Sequence, residues 1–69
     1  MEDFRYRQIE QNLMQQIASG TLGPGARLPS LRHVSMRSRV AVSTVLQAYA
    51  ELERKGVIES RPRSGFFAF

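Results

Sequence analysis

The chain has no cysteine, which excludes a disulfide framework and a zinc site built on thiolates. Its longest unbroken hydrophobic run is Phe66-Phe67-Ala68-Phe69, far short of the roughly 18 residues that crossing a bilayer requires. The opening Met1-Glu2-Asp3 is acidic and no apolar stretch follows it. No secretory signal is therefore expected, and a cytosolic setting is. The single histidine, His33, has no cysteine and no sequence-near carboxylate to work with. Catalysis and metal binding need convergent partners, so no catalytic residue, no metal and no enzyme are expected. Internal repeats and low-complexity segments are missing too. At 69 residues one small domain is the expectation, of a size that buries about 60% of the surface its unfolded form exposes. A content of 42% hydrophobic and 23% charged residues is that of a folded soluble domain rather than a disordered segment.

Acid is also scarce in the middle of the chain. Ten basic residues, nine of them arginine, face six acidic ones, for a net charge of +4. Between Gln11 and Ala50 there is no acidic residue, yet Arg27, Arg32, Arg37 and Arg39 all fall there. A stretch of one sign predicts a positive face, and the phosphate backbone of a nucleic acid is the commonest partner of such a face. A solvated arginine surface without a partner is the plain alternative. An anionic membrane surface asks for a basic helix with a wide apolar face, which no segment offers cleanly.

Periodicity gives the elements. Tyr6, Ile9, Leu13 and Ile17 recur on one face of a helix, predicted from about Arg5 to Ser19 and ended by Gly20. The other faces are polar, Glu10 among them. Thr21 to Gly25 is loop chemistry, and Arg27-Leu28 is too short for a free strand but suits the edge of a small sheet. Ser30 stands at the N-cap of a second helix, about Leu31 to Ser38. Val42 through Lys55 carries Val45, Ala48, Tyr49 and Leu52 on one face of a third helix, which Gly56 ends after Arg54 and Lys55. Val57 to Arg61 and Phe66 to Phe69 then read as two strands joined by Pro62-Arg63-Ser64-Gly65. Strand alternation points Phe67 inward and leaves Phe66 and Phe69 open. Two helices joined by about three residues have the spacing of a helix-turn-helix, and a hairpin after the third helix is a wing. The expected fold is mainly α with a small β-hairpin, a winged helix-turn-helix of three helices plus wing.

From Gly25-Ala26-Arg27-Leu28-Pro29-Ser30-Leu31-Arg32 onward, the chain resembles the N-terminal DNA-binding domain of GntR-family transcription factors. Further pieces fit in order: Tyr6-x-x-Ile9, Gly20-x-Leu22-x-Pro24-Gly25, Val40-x-x-Ser43-Thr44-Val45, Leu52-Glu53-x-x-Gly56 and Arg61-Pro62-x-Ser64-Gly65-x-Phe67. The resemblance runs from about Tyr6 to Phe67. Thr44-Val45-x-x-Ala48-Tyr49 and Ser60-Arg61-Pro62 look most like the MocR-type subgroup. The resemblance implies a single winged-helix domain over 1–69, fused in the full-length protein to a C-terminal effector and oligomerisation domain absent from this chain. In MocR-type members that domain resembles a pyridoxal-phosphate aminotransferase. The implied cofactors are none in this domain, with pyridoxal phosphate or another small-molecule effector belonging to the missing one. The implied partners are double-stranded DNA and, at full length, a second copy on paired half-sites. A cytoplasmic, nucleoid-associated location follows, with no membrane.

A recognition helix enters the major groove with its N-terminal residues toward the bases. That points to Val42, Ser43, Thr44, Leu46 and Gln47. Ser43 and Thr44 can bond bases or phosphates, and Gln47 can read adenine. Thr44 as a helix-start residue and Gln47 as a solvated amide are the plain alternatives. By resemblance, Arg32 is the arginine that reaches DNA from the second helix, and a guanidinium fork can grip a phosphate or a guanine edge. Arg27, Arg37 and Arg39 are expected at phosphates. By resemblance the wing lies along or in the minor groove, where Arg61 and Arg63 supply charge and Ser64 and Gly65 form the tip. There are departures from the family pattern. Arg39 stands where the family usually has glycine, and a positive φ would strain it. Ala41 and Val42 replace a serine or threonine and an arginine, and Leu46 replaces another arginine. Val42 cannot hydrogen-bond a base but can touch a thymine methyl. A winged-helix module that binds protein rather than specific DNA is the rival reading, with Val42, Leu46 and Phe66 as its exposed apolar surface. RNA binding is a lesser rival, since RNA modules carry surface aromatics on a sheet.

Overall fold

The computed structural model describes residues 4–69. Three helices precede an antiparallel hairpin: α1 (Phe4–Ser19), α2 (Leu31–Ser38), α3 (Val42–Arg54), β1 (Ile58–Arg61) and β2 (Gly65–Ala68). Met1-Glu2-Asp3, on which the absence of a secretory signal was argued, lies outside the described residues.

Each helix is bounded by local chemistry. In α1 the predicted stripe is the inner face: Ile9 and Leu13 are buried, with Tyr6 and Ile17 packed at the edge of the core. For α2, the Ser30 hydroxyl accepts the His33 N–H at 3.1 Å, as an N-cap should. This helix closes on Arg39, whose φ of 57° and ψ of 43° are left-handed. The Ala41 backbone is extended at the start of α3 but supplies no side-chain cap. At the other end of α3, Gly56 N–H bonds Glu53 O and Val57 N–H bonds Leu52 O. With Lys55 as C-cap and Gly56 at φ 79°, this is the paired-bond Schellman ending. The helix itself stops at Arg54, one residue short of the sequence expectation.

Strands β1 and β2 pair from Ile58↔Ala68 to Arg61↔Gly65; β1 is one residue shorter than the expected run, and β2 is shifted by one residue, taking in Gly65 and leaving out Phe69. The short segment before α2 lies along the free edge of β2. Arg27 bridges Phe67, Leu28 N–H bonds Phe66 O at 2.8 Å, and Ala68 N–H bonds Ala26 O at 2.8 Å. The edge role expected of Arg27-Leu28 is therefore observed, and it ties the entry of α2 to the wing.

The core gathers Ile9, Leu13, Leu28, Val34, Val45, Ala48, Tyr49, Leu52, Ile58 and Ala68. Tyr49 is its hub. Its ring meets Phe66 edge-on, centroids 5.0 Å apart at 88°, and its hydroxyl donates to Pro29 O at 2.6 Å. One side chain thus joins α3, the entry of α2 and the wing.

Two inward assignments differ from the sequence reading. Phe66, not Phe67, packs against the core together with Ala68, because pairing with the 26–28 segment fixes which face of β2 is covered. Phe67 lies on the other face, under the Arg61 guanidinium at 4.3 Å from its ring. Glu10, placed with the polar residues off the apolar face of α1, is buried and forms an ion pair with Lys55 Nζ, clamping α1 to the end of α3.

Candidate nucleic-acid interface

On α3 the buried residues Val45, Ala48, Tyr49 and Leu52 leave Ser43, Gln47, Ala50 and Arg54, spaced by four, three and four, as the opposite stripe. Ser43 and Gln47 are exposed at its N-terminal half. Val42 and Leu46, one turn apart beside them, are 44% and 48% exposed. Thr44 is half-buried at the flank, so of the five expected readers it is the least open to a ligand.

The charges sort by what already engages them. Glu10 pairs with Lys55, and Glu51 with Arg54 at 2.7 Å. The hydrogen bond from Arg54 holds the Glu51 carboxyl below the usual carboxylate range. Glu53 accepts the Ser60 N–H at 3.2 Å, and Glu59 accepts both Nε and a terminal nitrogen of Arg61 at 2.8 and 2.6 Å. Every described carboxylate is therefore engaged within the fold. Among the described residues, none of them pairs with Arg27, Arg32, Arg37, Arg39 or Arg63, and all five are exposed. Arg61, expected at the wing with Arg63, is instead held by Glu59 and Phe67. Its partner could have been read from the sequence, since residues two apart share a strand face.

The unopposed arginines lie on elements that the fold ties together. Arg32 and Arg37 are on α2, and Arg37 is close enough to Tyr49 to oppose the rise that burial causes in its hydroxyl pKa. Arg39 caps α2 at the corner before α3. Arg27 lies against the wing: a Cβ built on Gly65 would meet its Nε at 3.4 Å. Gly65 itself has a φ of 113°, a conformation that side chains rarely adopt. Arg63 and Ser64 are in the wing turn, exposed. Overall extents of 32 × 26 × 21 Å match about one turn of a duplex, 34–36 Å. Phe66 is half-buried, so the apolar surface expected by the protein-binding reading loses one of its three members. His33 is exposed, and among the described residues no group of three or more His, Cys, Asp or Glu could hold a metal. No described helix is long and apolar enough to cross a membrane.

Comparison with known proteins gives a consistent pattern. The family model described as bacterial regulatory proteins, gntR family, matches residues 5–68. The chain is 46% identical over 63 residues to YdcR of Escherichia coli (strain K12), named as an uncharacterized HTH-type transcriptional regulator. That match covers 91% of this chain but 14% of the relative, so the chain spans a small part of that protein's length. It is 35% identical to YtrA from Sulfolobus acidocaldarius, described as a GntR-family transcription factor, with a TM-score of 0.85 over 91% of this chain and 66% of that one. The fold also superposes on AraR(DBD), solved in complex with operator ORX1, with a TM-score of 0.92 at 22% identity over 100% of this chain and 82% of the other.

Proposed function

Because the chain belongs to the GntR family of bacterial regulatory proteins, we propose that it binds double-stranded DNA sequence-specifically and regulates transcription by occupying its site. The N-terminal half of α3 enters the major groove, with Ser43 and Gln47 toward base edges, Thr44 at the flank and Val42 against a thymine methyl. Arg32 reaches the duplex from α2, and Arg27 and Arg37 take phosphates. The wing, through Arg63, Ser64 and Gly65, lies at the minor groove, with Arg27 behind it; Arg61 braces the wing through Glu59. The single observation that carries this reading is the set of five exposed arginines left unopposed while every described carboxylate is engaged elsewhere.

The chain acts as the DNA-reading part of a longer regulator, a view supported by its 14% share of YdcR. The remainder senses a small molecule, pyridoxal phosphate in the MocR-type case, and pairs two copies on two half-sites. The working location is the cytoplasm, at the nucleoid. The test is selection from random duplexes, followed by titration of the enriched duplex against salt. Five phosphate contacts give a log–log slope of about −4.5, and Arg32→Ala should weaken binding by roughly 1–3 kcal/mol. No enriched motif and a slope near zero would favour the protein-binding rival.

A further inference from the structure

Among the described residues, two that are not glycine have a positive φ, and both are arginines: Arg39 at 57° and Arg63 at 65°. Each occupies a position where the backbone asks for glycine. Arg39 is the left-handed residue closing α2, its N–H bonded to Ser35 O, the place where helices most often carry glycine. Arg63 follows Pro62 in a turn closed by Ser64 N–H to Arg61 O at 3.0 Å. Proline second and a positive φ third is the pattern of a type II turn, whose third residue is normally glycine or asparagine.

Nothing within the described fold accounts for the choice of arginine at either place. Both side chains are exposed, and among the described residues neither guanidinium has a hydrogen bond or an ion pair. A long cation in a left-handed position is strained and has no internal contact to offset the strain. Such outliers cluster where a ligand uses them. Both also lie on loops bordering the proposed interface, one at the corner leading into α3 and one at the wing tip.

We infer that Arg39 and Arg63 are a pair of phosphodiester anchors, held in backbone conformations that the fold alone would give to glycine. The inference rests on the duplex-binding reading and adds a conflict to it: at these two positions, affinity and stability pull in opposite directions. Arg32 and Arg37, on regular helix, carry no such conflict.

The experiment compares Arg39→Gly, Arg63→Gly, Arg39→Lys and Arg63→Lys with the parent 69-residue chain. Thermal unfolding gives stability, and fluorescence anisotropy on a labelled random-sequence duplex gives affinity between 50 and 300 mM salt. Each glycine variant should raise Tm by about 2–6 °C, relief of the left-handed strain less the extra freedom of an unfolded glycine. Each should also flatten the salt slope by about 0.9 and weaken binding about eightfold at 0.1 M salt, the value of one released counterion. The lysine variants should keep the parent slope. Glycine variants that bind with the parent slope would overturn the inference while the duplex-binding reading stands. Glycine variants that melt below the parent would overturn it too, because the arginines would then serve the fold. A parent chain with no salt-dependent binding to any duplex would remove both the inference and the reading beneath it.

Discussion

Replacing Tyr49 with phenylalanine removes one oxygen and leaves the ring against Phe66. What is lost is the 2.6 Å hydrogen bond to Pro29 O. A part-buried carbonyl deprived of its donor costs about 1–1.5 kcal/mol. In a domain of this size that lowers Tm by about 4–12 °C at pH 7. The pH dependence then separates the hydroxyl from simple packing. Burial pushes the Tyr49 hydroxyl up from 10.0 to about 12, with Arg37 opposing. A tyrosine in the unfolded chain ionises near 10. From pH 10 to 12 the folded state therefore keeps a proton that the unfolded state has released. Stability contributed by this group is whole below pH 10 and falls by about 1.4 kcal/mol per pH unit until the folded hydroxyl ionises. Phenylalanine has no such proton. The advantage of tyrosine should thus shrink above pH 10 and change sign near pH 11. Urea unfolding followed by circular dichroism at pH 7, 9, 10, 10.5 and 11, on both proteins, reads that difference, in which the titration of all other groups cancels. Curves that stay parallel from pH 7 to 11 would refute a buried, bonded hydroxyl at the junction of α3, α2 and the wing.

Three further perturbations test separate parts of the structure. Ala41→Ser supplies the missing cap of α3 on a backbone already extended, and should stabilise the domain by about 1 kcal/mol; an unchanged Tm would mean the first N–H groups of α3 are satisfied without it. Gly65→Ala combines a φ of 113° with a Cβ 3.4 Å from Arg27 Nε, so it should cost about 1–3 kcal/mol and weaken duplex binding by shifting Arg27. Full stability in that variant would contradict the wing geometry. In a selected duplex, deoxyuridine in place of the thymine facing Val42 should weaken binding about fourfold, the value of one buried methyl group. Val42→Ser should be indifferent to the same change, and equal sensitivity in both proteins would remove Val42 as the reader.

What the sequence made legible was whatever is settled within a few residues. The α1 stripe, the Ser30 cap, the Gly56 stop and the change of period into the hairpin each depend on neighbours close in the chain. Phe66 and Phe67 mark the limit. Alternation with period two fixes that they face opposite ways but not which way, and the choice comes from pairing with Ala26 and Leu28, about 40 residues earlier by count along the chain. Glu10 is similar, because its partner Lys55 is 45 residues away. In the site, the exposed Ser43, Gln47, Val42 and Leu46 follow from the phase of the α3 apolar face. For Arg39 the resemblance supplied only a condition, that a positive φ at a position where the family usually has glycine would strain it, and its φ of 57° meets that condition. The left-handed state of Arg63 had no residue signal, since arginine argues against the turn position it occupies. The pairing of Arg61 with Glu59 follows from strand alternation, but Arg61 was assigned only as charge at the wing.

The distribution of carboxylates explains more of this molecule than the distribution of arginines does. Three of the four described acidic side chains make scaffold contacts, and Glu51 pairs with Arg54 within α3: Glu10 and Lys55 join α1 to α3, Glu53 reaches from α3 to the Ser60 backbone, and Glu59 fixes Arg61 over Phe67. These contacts lie at the end of α3 away from its N-terminus and in the wing strand. Residues 11–50, which supply α2, the corner and the N-terminal half of α3, contain four arginines and no acid. A carboxylate three or four residues from Arg32 or Arg37 on α2 would share a helix face with that guanidinium. It would gain little in stability there, because exposed ion pairs contribute about 0–1 kcal/mol. It would also remove a phosphate contact whose counterion release is worth about eightfold in binding at 0.1 M salt. The larger of these effects decides. A fold that needs its acids as struts and its arginines as anchors must keep the two apart, and the acid-free middle of this chain is that separation written along the sequence.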